Sequence, residues 1–166
     1  LDMDLEAYDP MRIQLICMRL WLKITFYGLN LDSVALLEDK ESSNALEDLE
    51  ILAARCVYID NDDVSILRSL DEERPTTVSV FYRQLTQRIL SFKDIETKEY
   101  EQALRRSRAY HVQSREAFLE TFDRLFLKFE RDIPLRGYLE HIKNTVIGNS
   151  MVQIQNSRYI QPPISR

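Results

Sequence analysis

The stretch Leu104–Glu116, LRRSRAYHVQSRE, decides how the second half of this chain folds. It sets four arginines (Arg105, Arg106, Arg108 and Arg115) and His111, one of two histidines, between flanks that read as amphipathic helix. Neither proline nor glycine occurs from Asp94 to Arg131, a run of 38 residues. One helix of that length spans about 57 Å, against roughly 40 Å for the diameter of a compact domain of this size. A single straight helix must therefore protrude, bend or break.

The C-terminal half of the run has an apolar face in Phe118, Phe122, Leu125, Phe126 and Phe129. Carried backwards in steps of three and four, that face passes through Arg115, His111, Arg108, Leu104 and Tyr100, while Arg105 and Arg106 point elsewhere. Three outcomes are open. The helix breaks near His111–Ser114, with Ser114 capping a new one. Or it continues, with its basic middle crossing a gap or overhanging the body. Or the basic residues enter the protein and pair with acids such as Glu47, Glu50, Asp62 and Asp63, since a buried unpaired cation costs several kcal/mol.

Outside this stretch the composition favours helix. The 166 residues are 45% hydrophobic and 30% charged, with three glycines and five prolines. That is enough apolar material for one folded domain, and too little turn chemistry for an all-β fold. The expected architecture is all-α: an irregular bundle of about six helices over residues 1–160, with one long helix or a broken pair in its second half. An extended tail, QPPISR, closes the chain at 161–166.

The first helix runs from Asp9-Pro10, read as N-cap and first helical position, to a stop at Gly28. Apolar residues cover most of its circumference, which predicts a central helix. Its polar stripe is Arg12, Arg19 and Lys23, either a solvated face or a site for an anion or a partner. Asp32 is placed to cap a short helix from Val34 to about Lys40, with EDKESSN as a loop. Asn44 and Glu47 form a capping box for a helix from Ala45 to about Tyr58, burying Leu46, Leu49, Leu52, Ala53, Cys56 and Val57. Asp62 or Asp63 caps a short helix that reaches Leu70, and Pro75 ends that region. Thr76 or Thr77 starts a helix to about Phe92 whose buried face is Val78, Phe81, Leu85, Ile89 and Phe92. Asp94 caps the long run. The last helix spans Pro134 to about Ile147, before Gly148, with a further turn or two beyond.

Several chemistries fail on spacing. Asp60–Asp71 invites a calcium-loop reading, but Val64, Ser65 and Asp71 stand where that loop needs an oxygen ligand, a glycine and a bidentate glutamate. His111 and His141 are thirty residues apart, and no Cys or His pair has metal-ligand spacing. The glycines build no phosphate loop. The acid pairs Glu38-Asp39 and Glu72-Glu73 lack the apolar pocket that tunes a catalytic carboxyl. No catalytic residue, cofactor or metal is expected. Cys17 and Cys56 lie in apolar helical patterns and read as free thiols in a reducing compartment, nucleus or cytoplasm. No apolar run is long and uncharged enough for a membrane span. The start at Leu1 reads as a piece of a larger protein.

The net charge of −5 conceals a polarity. Residues 1–73 carry 17 acids and 6 bases, and residues 74–166 carry 10 acids and 16 bases. Such halves neutralise each other within a domain, or let two copies meet head to tail. The expected function is a non-catalytic protein-interaction domain, an adaptor or scaffold in a larger intracellular assembly. Its partner is a protein, acidic in character. The contact residues are Arg105, Arg106, Arg108, His111 and Arg115, or the stripe Arg12, Arg19 and Lys23. The alternative is a nucleic-acid or phosphate-binding module using the 98–115 segment with Lys98. A pI near 5.2 and the interleaved Glu96, Glu99, Glu101 and Glu116 weigh against it.

Overall fold

The computed structural model describes residues 4–29, 31 and 39–155, with the side chains of Ile154 and Gln155 left out. Over these residues the protein is an all-α bundle. Its helices are α1 (Leu5–Leu15), α2 (Met18–Gly28), α3 (Lys40–Val64), α4 (Ile66–Asp71), α5 (Thr77–Thr86), α6 (Lys98–Lys128) and α7 (Ile133–Gln155). The expected helix after Asp32 and the extended tail at 161–166 lie outside the described residues.

The centre is α3, not the first helix. Leu49, Ala53, Ala54, Cys56, Tyr58 and Ile59 are inaccessible to solvent and no residue from Leu49 to Val64 is exposed, so α3 is covered on every side beyond its first turns. Asp39, not Asn44, caps it, accepting from the amides of Glu41 and Ser42. Lys128 and Ser42 hold the Asp39 carboxyl down to about 2. The helix α6 runs antiparallel to α3: Ser107 reaches Asp63, His111 reaches Asp60 and Lys128 reaches Asp39. On another side of the same helix, α7 runs parallel to it. Tyr138 donates to Glu50, Ser150 to Asp60 and Gln153 to Asn61.

The long run is a single helix, capped by Thr97 through the amide of Tyr100. Asp94 does not cap it. That carboxylate sits in a 3₁₀ turn, Phe92–Asp94, and accepts from Ser91. The 31 residues of α6 make about 46 Å, longer than α3. The extra N-terminal turns do not overhang bare, because α5 sheathes them: Val78, Phe81, Tyr82 and Leu90 enclose Ala103, with Tyr100 and Leu104 at the margin.

The first-helix expectation is corrected at both ends and in its middle. Asp4 is the N-cap, accepting from Ala7 N at 2.9 Å, and Pro10 lies inside α1. Asp9 is unavailable as a cap because Arg55, Tyr58 and Tyr110 draw its carboxylate inward. At Cys17 the backbone turns left-handed, φ 55°, a costly conformation for a residue with a Cβ. It divides α1 from α2 and leaves the Cys17 thiol exposed, not buried in an apolar helix; Cys56 is buried, and both are free thiols.

Three boundaries also move. Of the two expected starts Thr76 is the cap of α5, in a box with Ser79, but the helix ends at Thr86, where Gln87 turns left-handed. Ile89 and Phe92 are therefore exposed, and Leu90 is buried instead. Asp60, Asp62 and Asp63 form the last helical turn of α3, and Ser65, not Asp62 or Asp63, is the N-cap of α4. Finally, α7 passes through Gly148 to Gln155, held there by the Ser150 and Gln153 contacts to α3.

Candidate protein-interaction surface

The Arg12, Arg19, Lys23 stripe faces inward to acids of α3. Arg12 meets Asp62 at 2.6 Å, Arg19 meets Glu47 at 2.6 Å, and Lys23 lies 3.1 Å from Glu50. Two of these carboxylates are interior: Asp62 is 2% exposed and Glu50 0%. Asp62 is also a junction of three helices. It accepts from the Tyr8 hydroxyl at 2.5 Å, from Thr77 N at 3.0 Å and from Thr77 Oγ1 at 2.8 Å. It thus fastens α1 and supplies an anion to the N-terminus of α5, where the helix dipole favours one. Burial and the Asp62 charge push the Tyr8 hydroxyl far above its ordinary range, so it remains a donor.

Asp9 forms a second junction. Arg55 grips it with two nitrogens, at 2.9 and 2.7 Å, and the hydroxyls of Tyr58 and Tyr110 donate at 2.5 and 2.8 Å. Burial alone would raise the Asp9 pKa, but the Arg55 and Tyr58 bonds outweigh it and hold the carboxyl low. Burial pushes Tyr110 up to about 12. The Tyr110 of the opening stretch therefore anchors α6 to α1 and α3, and does not stand out as a stacking platform.

The basic stretch divides into an inner and an outer set. The inner line of α6 is Ala103, Ser107, Ser114, Phe118, Phe122 and Leu125, all buried. His111 lies beside that line, 14% exposed, with Nε2 3.3 Å from Asp60. Burial lowers its pKa, against the pull of Asp60. Asp60 also accepts from Ser150. The Asp60 carboxylate thus stands between the Ser150 hydroxyl and the His111 imidazole. Arg108 and Arg115 are exposed, each close enough to act by charge on a group of α3, Asp63 and Cys56 respectively.

No protein-family model, curated protein or solved structure matches the chain. Its surfaces must be read from geometry. Two stand out.

One is the outer ridge of α6. Arg105, Arg108, Val112, Arg115 and Leu119 are exposed and follow one another at spacings of three and four, which places them on one face. Arg105 pairs with Glu101 one turn back, at 3.3 Å in full solvent, a contact worth only about 0.3–0.5 kcal/mol and readily exchanged. Arg106 is exposed on the neighbouring row, and Lys98 opens the first turn. The helix continuity that assembles this ridge was one of the open outcomes in the sequence.

The other is the outer arc of α2. Leu20, Trp21, Ile24 and Tyr27 are 63, 46, 61 and 76% exposed. An apolar circumference predicted a central helix here, yet these four residues lie outside. No helix among the described residues is long and apolar enough to cross a membrane.

Proposed function

We propose that this chain is a non-catalytic helical interaction domain, of adaptor or scaffold type within a larger intracellular assembly, and that it reads an acidic protein partner through the outer ridge of α6. The observation that carries this reading is the unbroken α6. It aligns Arg105, Arg108 and Arg115 with exposed Val112 and Leu119 on one ridge. Guanidiniums interleaved with apolar contacts suit a protein interface, where arginine is enriched, and planar donors match carboxylates in pairs. Arg12, Arg19 and Lys23 are engaged with α3, so the α6 ridge is the better of the two basic surfaces named from sequence.

The test is capture of partners by the full chain against a variant carrying Arg105→Glu, Arg108→Glu and Arg115→Glu. These side chains are exposed, so circular dichroism and melting temperature should stay near wild type. The reading requires that an acidic partner be lost, with affinity down at least tenfold. Unchanged capture of every partner sinks it. A mobility shift with duplex DNA or RNA at low salt, collapsing steeply as salt rises, would instead establish the nucleic-acid alternative.

A further inference from the structure

We propose that the outer arc of α2 is a homodimer interface, closed by a second copy of this chain about a two-fold axis. At 100° per residue, Leu20, Trp21, Ile24 and Tyr27 fall within an arc of about 120°, opposite the buried Met18 and Leu22. The core is completed without them: Leu22 and Phe26 turn inward to α7, where Tyr138 bonds to Leu22 O and packs against Phe26. What remains outside is a compact apolar face on a short, firmly seated helix.

Area and charge both favour a second copy as the occupant. At about 200 Å² per aromatic side chain and about 100 Å² per aliphatic one, the exposed fractions leave roughly 350–400 Å² of apolar surface on each chain. Two copies supply about 700–800 Å² before their polar margins are added, near the roughly 1,000 Å² that a specific interface needs. A lone acidic peptide of the kind fitted to α6 would find no unpaired cation here. One margin holds the Arg19–Glu47 pair, joined at 2.6 Å and partly exposed, and the half-exposed Lys23, 3.1 Å from the buried Glu50. The other is aromatic, where Trp21 lies against His141 at 4.7 Å between ring centres and the Thr25 hydroxyl is bonded back to Trp21 O. A margin whose cations are each matched by an anion is its own complement about a two-fold axis: each Arg19 can meet the Glu47 of the second copy. A margin of one sign would repel itself.

This interface is separate from the α6 ridge, and the experiment keeps the two apart. Sedimentation of the full chain from 1 to 300 µM should show the mass doubling, with a dissociation constant on the order of 10–100 µM for an interface this small. Trp21 is the only tryptophan and lies on the arc, so its emission should shift to the blue over the same range. Ile24→Glu should abolish both changes while the circular dichroism spectrum is retained. Arg19→Glu should weaken the dimer at least tenfold, and Arg19→Glu with Glu47→Arg should restore it. A chain that stays monomeric at 300 µM overturns the proposal. So does a dimer that survives Ile24→Glu, or one that forms without a change in Trp21 emission. Where Ile24→Glu fails to fold, Leu20→Lys carries the same test. Neither variant alters α6, so partner capture by the arginines is read independently.

Discussion

The most apolar helix of this protein lies at its surface, and the helix richest in buried acids lies at its centre. In α2 only Met18 and Leu22 are buried. In α3 twelve residues are buried, Glu50 and Asp62 among them. Apolar content alone would have ordered them the other way. The difference is that α3 is long enough to be met by α1, α2, α5, α6 and α7, and each polar group it takes inside finds a dedicated partner there. Glu50 has Lys23 and Tyr138. Asp62 has Arg12, Tyr8 and Thr77. A buried carboxylate is tolerable only on those terms. The 11-residue α2 has room for one inner face and leaves its other apolar face outside.

The comparison breaks most sharply at Asp62. Asp62→Ala strands the Arg12 guanidinium, the Tyr8 hydroxyl and the Thr77 amide at once, and should cost about 3–5 kcal/mol, a fall of roughly 10 °C in melting temperature. Leu20→Ser on the outer arc of α2, assayed below the dimerising concentration, should stay within about 0.5 kcal/mol. Thermal melts of the two variants side by side decide the matter. If the leucine proves the costlier loss, α2 belongs to the core after all and the contrast is false.

A second test concerns how α6 comes so close to α3. Its inner line passes through small residues, Ala103, Ser107 and Ser114, and Ser114 satisfies its own hydroxyl on Tyr110 O at 2.8 Å. Ser114→Leu should overpack the contact and cost about 1–3 kcal/mol, while Ser114→Ala should be nearly neutral. Urea titrations in which leucine matches alanine would show that the helices leave space there.

That small-residue line also explains what the sequence could and could not reveal. The all-α class, a helix start at Thr76 or Thr77, a short helix reaching Leu70 and the inner face of Phe118, Phe122 and Leu125 were legible, because each rests on local chemistry or a strong period. The path of α6 through 104–116 was not. Stepping back from Phe118 by three leads to Arg115, and by four to Ser114. Serine gives no hydrophobic signal, so the pattern alone traced the arginines into the core. The true line is one residue over. It puts His111 at the edge, against Asp60, and leaves Arg108 and Arg115 outside. Asp9 was misread for a related reason. Asp-Pro is a strong local start signal, but Arg55, Tyr58 and Tyr110, from 46 to 101 positions away in the chain, outbid it. The stripe Arg12, Arg19 and Lys23 was correctly placed on one face, and only its α3 partners were invisible. On the α6 ridge Arg105, Arg108 and Arg115 were legible while their accessibility was not, and the outer arc of α2 was hidden by reading its helix as central.

The smallest effect expected is a pH dependence at the C-terminal end of α3. Asp63 faces Ser107 and Arg108 of α6, with Asp62 and Asp60 on its own helix. Burial, reinforced by Asp62, raises its pKa from 3.8 to about 6. A raised carboxyl favours the neutral acid in the fold. Its stabilising contribution is complete below 3.8 and is lost as pH rises through about 6. His111 acts in the opposite sense. Its pKa is lowered from 6.5, chiefly by burial, so the neutral ring is favoured above 6.5 and that contribution is lost as pH falls through the folded value. Between these limits the two partly cancel in the wild type. Asp63→Asn removes one of them. Relative to wild type it should be more stable at pH 7, by about 1 kcal/mol after allowance for solvent screening, and the gap should close towards pH 4. In the variant the His111 dependence is no longer offset by Asp63, so its stability falls more steeply than that of wild type on acidification through this window. A gap that is constant from pH 4 to 7 would mean that Asp63 is charged throughout, and that the acids ending α3 are held by Arg108 and Arg12 as fully as those at its centre.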